Sequence, residues 1–176
     1  MWELYAFWAF VPVMLKDFTL LHPQIDFNIP VLSFCIIGIG GISCVISGYV
    51  SQHIGAKKTA FYALLFSGLC CLFSPLIFYI GVEILFLGFL LFWGMVVIAD
   101  SPMFSTLVAQ NAEAEIKGTA LTIVNCIGFA ITIFSIQLVN SLQYQINPSF
   151  SYLCLAIGPI LGLIALIRNK ASKNLK

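Results

Sequence analysis

Charge is what this sequence has least of: 9% of its 176 residues are Asp, Glu, Lys or Arg, where a soluble domain carries about 25%. Too few polar side chains remain to cover the exterior of a water-soluble fold, so the expected solvent is a lipid bilayer. The eight Lys and Arg are scattered and the net charge is +1, which leaves no concentrated basic face and excludes nucleic acid as a partner. Histidine is scarcer still: His22 and His53 are the two, and both fall between apolar runs. Intramembrane proteolysis needs a Ser with a His base, a pair of membrane aspartates or a zinc-binding histidine cluster, and none of these sets is complete. The expectation is a protein that is not an enzyme, with no catalytic residue, no metal and no cofactor.

Cysteine is present but without pattern. Cys35, Cys44, Cys70, Cys71, Cys126 and Cys154 all lie in apolar runs, show no C-x-x-C spacing, and read as small packed hydrophobes. A basic n-region and a small-residue cleavage site are also missing after Met1, so the first apolar stretch is expected to stay in the mature chain.

What the chain does have is apolar length. Hydrophobic residues make up 61% of it, and the mean hydropathy is +1.04. A hydrocarbon core of about 30 Å takes about 20 helical residues. Six runs approach or exceed that: residues 1–16, 30–52, 58–80, 84–109, 118–141 and 150–168, followed by a tail at 169–176. Short connections containing His22-Pro23-Gln24 and Asn147-Pro148-Ser149 separate two pairs of them. Open sheet edges are not tolerated in lipid, so the predicted fold is all-α: a six-transmembrane-helix bundle forming one domain over 1–168.

Basic residues orient this bundle. Lys57 and Lys58 follow the second run, Lys117 precedes the fifth, and Arg168, Lys170, Lys173 and Lys176 follow the sixth, which predicts that both termini and the tail are cytoplasmic. Lys16 alone opposes this. The first run, at about 24 Å for sixteen residues, is short of the membrane and is expected to have lost its beginning.

Small residues mark packing surfaces. Gly40, Cys44 and Gly48 repeat at four-residue spacing in the second run, as Gly158 and Gly162 do in the sixth, and Gly38 and Gly41 add to the second. Pro75, Pro102 and Pro159 interrupt runs three, four and six and are expected to kink or hinge them.

Two ionisable residues stand out, because a charge at the centre of a membrane helix costs about 2.5–3.5 kcal/mol on insertion scales. Asp100 lies about 13 Å from one end of the fourth run, just before Pro102. It either serves local packing or holds a substrate or proton. Glu3 is interfacial if its helix starts at Met1 and deep if the helix extends further back. In the fifth run Gly118, Thr122, Asn125, Thr132 and Asn140 share one helical face, and Asn125 is placed at a depth like that of Asp100, where the two could line one cavity.

The segment Gly48-Tyr49-Val50-Ser51-Gln52-His53-Ile54-Gly55-Ala56-Lys57-Lys58 resembles the cytoplasmic loop between the second and third helix of each half in the major facilitator superfamily. Gly48, Gly55 and Lys57 match that pattern. Gln52 and His53 stand where the family has an Asp-Arg pair, which weakens a charge-relay role and leaves a tight turn with a basic clamp at Lys57 and Lys58. Met1-Trp2-Glu3-Leu4-Tyr5-Ala6-Phe7-Trp8 is similar to the seventh helix of a bacterial branch of this family. Asp100-Ser101-Pro102-Met103-Phe104-Ser105, Gly118-Thr119-Ala120-Leu121-Thr122 and Asn125-Cys126-Ile127-Gly128-Phe129-Ala130 are similar to its tenth and eleventh helices.

The resemblance implies helices seven to twelve of a twelve-helix secondary carrier, a multi-pass protein of the bacterial inner membrane with a small-molecule solute as its cargo. Its partner would be an N-terminal six-helix half or a second copy. It further implies Glu3, Tyr5, Asp100 and Asn125 as residues of the solute or proton cavity, and Gly48, His53, Gly55, Lys57 and Lys58 as the gating loop. Two alternatives stay open at this stage: a non-transporting membrane subunit and a nonfunctional fragment.

Overall fold

Long apolar runs deprived of water can satisfy their backbone N–H and C=O groups only within themselves, and they fold as helices. The computed structural model describes residues 1–171, in which these helices are α1 (Leu4–Leu21), α2 (Ile29–Ile54), α3 (Ala56–Ile80), α4 (Glu83–Asn111), α5 (Lys117–Gln145), α6 (Pro148–Ser151) and α7 (Ile157–Ala171). A 3-10 turn at Tyr152–Ala156 joins the last two. Six stretches are long and apolar enough to cross a membrane, the sixth being Ser149–Arg168. The protein is a six-helix all-α membrane bundle.

The helix boundaries correct the sequence reading at three places. α1 does not stop at Lys16 but runs five residues further, to Leu21. Lys16 is exposed, so its charge does not break the helix; the break comes at His22, which the following Pro23 forces out of the α region (φ −129°, ψ 76°). At 18 residues, or about 27 Å, the helix nearly spans a hydrocarbon core.

The second correction concerns the connection expected over residues 48–58, which is a single residue. α2 continues through His53 to Ile54 and α3 starts at Ala56, with Gly55 between them at φ 88°. That backbone is one L side chains rarely adopt, which is why glycine stands there.

The sixth crossing is not one helix but two joined by the 3-10 turn. Pro159 accounts for the break: it has no N–H to offer the carbonyl four residues back, and the chain tightens just before it. The expected tail begins inside α7, and residues 172–176 lie outside the described part of the chain.

Caps and close contacts fix the starts and crossings. Asn28 accepts from Val31 N (3.4 Å) and Asn147 from Ser149 N (3.1 Å), each ahead of a proline in the first turn of its helix. α4 lies against α2 and α3; α1 lies against α2, α4 and α5; α7 lies against α3. The core runs along α1 through Phe7, Phe10, Val11, Met14, Leu15 and Phe18, all buried. At the end of the bundle remote from Gly55, Phe18 stacks on Phe86 (3.9 Å between centroids, 5° between planes), and Phe86 meets Phe78 edge-on. His22 is drawn in by a hydrogen bond from Nε2 to the Phe78 carbonyl (3.1 Å) and lies against Gly81, which combines a left-handed backbone (φ 70°) with the space the imidazole occupies.

The small-residue spacings divide into two kinds. Gly158 faces Trp2, Gly162 faces Leu64 and Gly40 faces Ile98, so these are packing positions. Gly38, Gly41 and Gly48 have open space where a side chain would go. The tightest helix crossing was not expected from spacing at all: at Gly94 of α4 a Cβ would come within 2.7 Å of the Ile36 carbonyl oxygen of α2. Ser43 reinforces that crossing by donating to the Met95 carbonyl (2.5 Å).

Replacing Gly94 with Ala should therefore push α2 from α4 and destabilise the bundle by about 1–3 kcal/mol. Gly88→Ala, on the same helix with nothing within 4 Å, should change stability by less than about 0.5 kcal/mol. Thermal unfolding of the two variants in detergent micelles tests the difference; equal melting would refute the close crossing.

Candidate functional site

Glu3 precedes α1, and its carbonyl already accepts the first helical hydrogen bond, from Phe7 N at 2.7 Å. From there its side chain enters the bundle rather than the membrane surface, and the residue is only 5% exposed. Three donors from two other helices meet it. Trp93 Nε1 of α4 donates to Oε1 at 2.6 Å, Cys71 Sγ of α3 donates to the same oxygen at 3.3 Å, and the Ser67 hydroxyl of α3 donates to Oε2.

Local sequence explains why these donors converge. Ser67 and Cys71 are four apart and so lie on one face of α3, continued by Ser74, which bonds back to the Cys71 carbonyl (2.9 Å). On α4, Trp93 packs its ring against Phe7 (4.9 Å) and Phe89 (5.5 Å), which leaves the indole N–H aimed at Glu3. Gly94 beside it admits α2 and seats α4 closely enough for the contact.

The two carboxyl groups share a cavity. A space of about 110 Å³ is lined by Met1, Trp2, Glu3, Leu64, Val97 and Asp100, among others. Asp100 lies two turns beyond Trp93 on α4, and its Oδ1 is buried without a hydrogen-bond partner. Trp2 Nε1 is likewise buried and without a partner.

The other sequence candidates fall elsewhere. Asn125 does not line the same cavity as Asp100: it lies on a second one, of about 330 Å³, formed with Ser101, Ser105, Val124 and Gly128. Met1, Trp2 and Phe104 border both cavities and stand between them. The polar stripe of α5 likewise turns only partly inward. Thr132 is buried, whereas Gly118, Thr122 and Asn140 are exposed, and the buried face of α5 is Thr132, Ser135 and Val139. Thr122 and Thr132 direct their hydroxyls at carbonyls of their own helix (2.9 and 3.0 Å), so depth and helical angle alone misplaced these side chains. Tyr5, two residues from Glu3 and hence on another face of α1, sits between Trp8 (5.5 Å) and Phe129 of α5 (5.3 Å).

At the opposite side of the site, His53 packs on Tyr49 within the last turns of α2 (4.8 Å) and is exposed. Gly48 is inside α2, with its carbonyl taking the Ser51 hydroxyl (2.7 Å). Lys57 and Lys58 lie in the first turn of α3 beside Gly55, along a cleft of about 610 Å³ that reaches Leu166 and Ile167 of α7.

Two participants were missed by the sequence reading. Cys71 is a donor to the buried carboxylate rather than a mere packed hydrophobe, and Cys35 and Cys126 are exposed rather than packed. Trp93 had no role assigned. The available signal was the spacing Ser67, Cys71, Ser74, a polar face on an otherwise apolar helix that needs a buried partner.

Comparison with known proteins gives one match: the sequence profile described as Major Facilitator Superfamily fits residues 1–136, which contain every residue of the two cavities except Gly158, Pro159 and Gly162. No curated protein sequence and no solved structure matches the chain.

Trp93→Phe keeps the aromatic bulk and removes the indole N–H. Losing this hydrogen bond to a buried carboxyl should destabilise the fold by about 1–3 kcal/mol, while Cys71→Ser, which keeps a donor, should cost less than about 1 kcal/mol. Chemical unfolding of both variants in micelles tests the ranking, and a neutral Trp93→Phe would refute it.

Proposed function

Because the chain belongs to the Major Facilitator Superfamily, and is thus a membrane transporter of that type, we propose that it acts as the C-terminal half of a secondary carrier of a small solute. The single observation carrying this reading beyond the family is the buried Glu3 carboxyl and its three donors. Burying such a group costs several kcal/mol, and an apolar side chain of similar volume generally stabilises a fold as well or better. A bundle built only to sit in lipid would do without Glu3. Its presence beside Asp100 fits a site that binds and releases a proton as the carrier changes state.

In this reading α1, α2, α4 and α5 face the second six-helix half, and the solute lies between the halves near the membrane midplane. The exposure of α5 supports it: of 29 residues only Thr132, Ser135 and Val139 are buried. The open glycines Gly38 and Gly41 of α2 support it too, as a surface another helix can approach. The partner is an N-terminal half or a second copy of this chain. Solute contacts come from Tyr5 and Asn125, proton contacts from Glu3 and Asp100. The turn at Gly48, His53, Gly55, Lys57 and Lys58 is the gating element on the cytoplasmic side. The bacterial inner membrane is the proposed location, with both termini cytoplasmic, and clustering of Lys57 and Lys58 near the α7 end supports that orientation.

In a complete carrier containing this half, Glu3→Gln preserves shape and removes the proton. Proton and solute binding are linked by a coupling free energy, typically worth 5–150-fold in affinity. The variant should therefore lose at least about a fivefold pH-dependent change in uptake of the driven solute. Uptake that follows pH as in the wild type would refute Glu3 as the coupling group.

A further inference from the structure

Two residues that line one small space each carry a buried polar atom without a hydrogen-bond partner, and the two are of opposite kind: the acceptor Asp100 Oδ1 and the donor Trp2 Nε1. Leaving either unsatisfied forfeits the hydrogen bond it had with water, and native structures rarely leave such a complementary pair open. Among the described residues, no side chain bridges them. The third polar wall is Glu3, whose carboxylate offers about four acceptor sites. Ser67, Cys71 and Trp93 occupy three, with two of these donors on Oε1, so the free site is on Oε2.

We propose that this cavity is the binding site of an ordered water that links Asp100 to Glu3. The water accepts from Trp2 Nε1 and donates one hydrogen to Asp100 Oδ1 and the other to Glu3 Oε2. Those are three hydrogen bonds, the number a buried water usually makes. The cavity, about 110 Å³, exceeds the roughly 10–15 Å³ one water requires. Val97, Leu64, Phe104 and Pro159 close much of the rest with apolar surface, and Met1, whose amino group lies close enough to act on Asp100, completes the polar side. The ionisable groups that face the pair are the Met1 amino group and, on α3, the thiols of Cys70 and Cys71.

The chemical consequence is a one-step exchange. When one carboxyl is protonated and the other is not, the water turns to accept from the protonated one, and takes that proton while giving one of its own to the other. One O–H bond breaks and one forms at each end; the water is regenerated and the charge of the pair is conserved. The site rests on the fold alone, whereas its use as a proton link rests on the carrier reading above.

Infrared spectroscopy of the full chain in lipid nanodiscs tests the site. Hydrated in D2O, the wild type should show an O–D stretch of a buried water that shifts on exchange into D2(18O). Asp100→Asn and Trp2→Phe should each remove or displace that band, and Ser33→Ala, which alters a buried hydroxyl unrelated to the cavity, should leave it in place. Because a polar change can itself unfold the bundle, Val97→Leu provides the second variant: it fills the cavity with both carboxyls intact and should remove the band while helicity is retained. Absence of the band in the wild type, or its survival in Asp100→Asn and Val97→Leu, overturns the proposal. A band that behaves as expected in a complete carrier whose uptake ignores pH would keep the water and refute the carrier role of Glu3, so the two failures are distinguishable.

Discussion

One carboxyl group sets the constraint under which the rest of this bundle is built. Glu3 is held by donors from α3 and α4 while belonging to α1, so three helices must keep their relative depth and rotation for all three hydrogen bonds to persist. A turn of slip along any of them would strand either the carboxyl or the indole N–H in an apolar interior. The close crossing at Gly94 is part of the same arrangement, since it lets α2 press on the residue beside Trp93. The aromatic stack of Phe18, Phe78 and Phe86 pins the other end of the same three helices. Between those two anchors α1 is the most enclosed helix of the bundle.

Enclosure is unequal, and that inequality has a functional meaning. α1, α3 and α4 are tied together through polar contacts, whereas α5 and much of α2 expose their apolar faces. Against lipid, apolar exposure costs nothing, and α5 packs on the bundle through a narrow buried face, Thr132, Ser135 and Val139. Its ties are few: the Thr132 hydroxyl to the Met1 carbonyl (3.3 Å), and Gln143 to Tyr152, which in turn reaches Asp17 (2.8 and 3.3 Å). A rigid core with loosely attached flanking helices is the distribution of stiffness that motion of one bundle against another requires.

Much of this was legible from the residues. The number of crossings follows from hydropathy because lipid leaves the backbone no alternative to a helix, and Glu3 and Asp100 stand out because charge is so scarce around them. Other features were not legible, for physical reasons that differ from case to case. Lys16 reads as a helix end because charge marks membrane boundaries, yet a charge at the interface can remain helical, and only His22-Pro23 actually stops the backbone. Cys71 reads as a hydrophobe because its weak thiol donor shows itself only when a carboxylate is brought to it across 68 residues of chain. Asn125 and Asp100 share a depth but not a cavity, since depth along a helix says nothing about which large side chains, here Trp2 and Phe104, stand between two points.

The same geometry assigns unequal parts to the two acids. Glu3 has three of its acceptor sites filled by donors from α3 and α4, which tethers it to both helices. Asp100 has an unengaged oxygen and sits just before Pro102, where α4 lacks one backbone hydrogen bond and bends at less cost than elsewhere. Of the two, Asp100 is therefore the one whose distance to its surroundings changes when α4 flexes. Only a difference between states can be coupled to transport, and a changed separation between Asp100 and Glu3 is such a difference. In the proposed carrier, Glu3 is the tethered acid and Asp100 the movable one on the walls of one cavity, so a change in their separation alters the proton affinity of both.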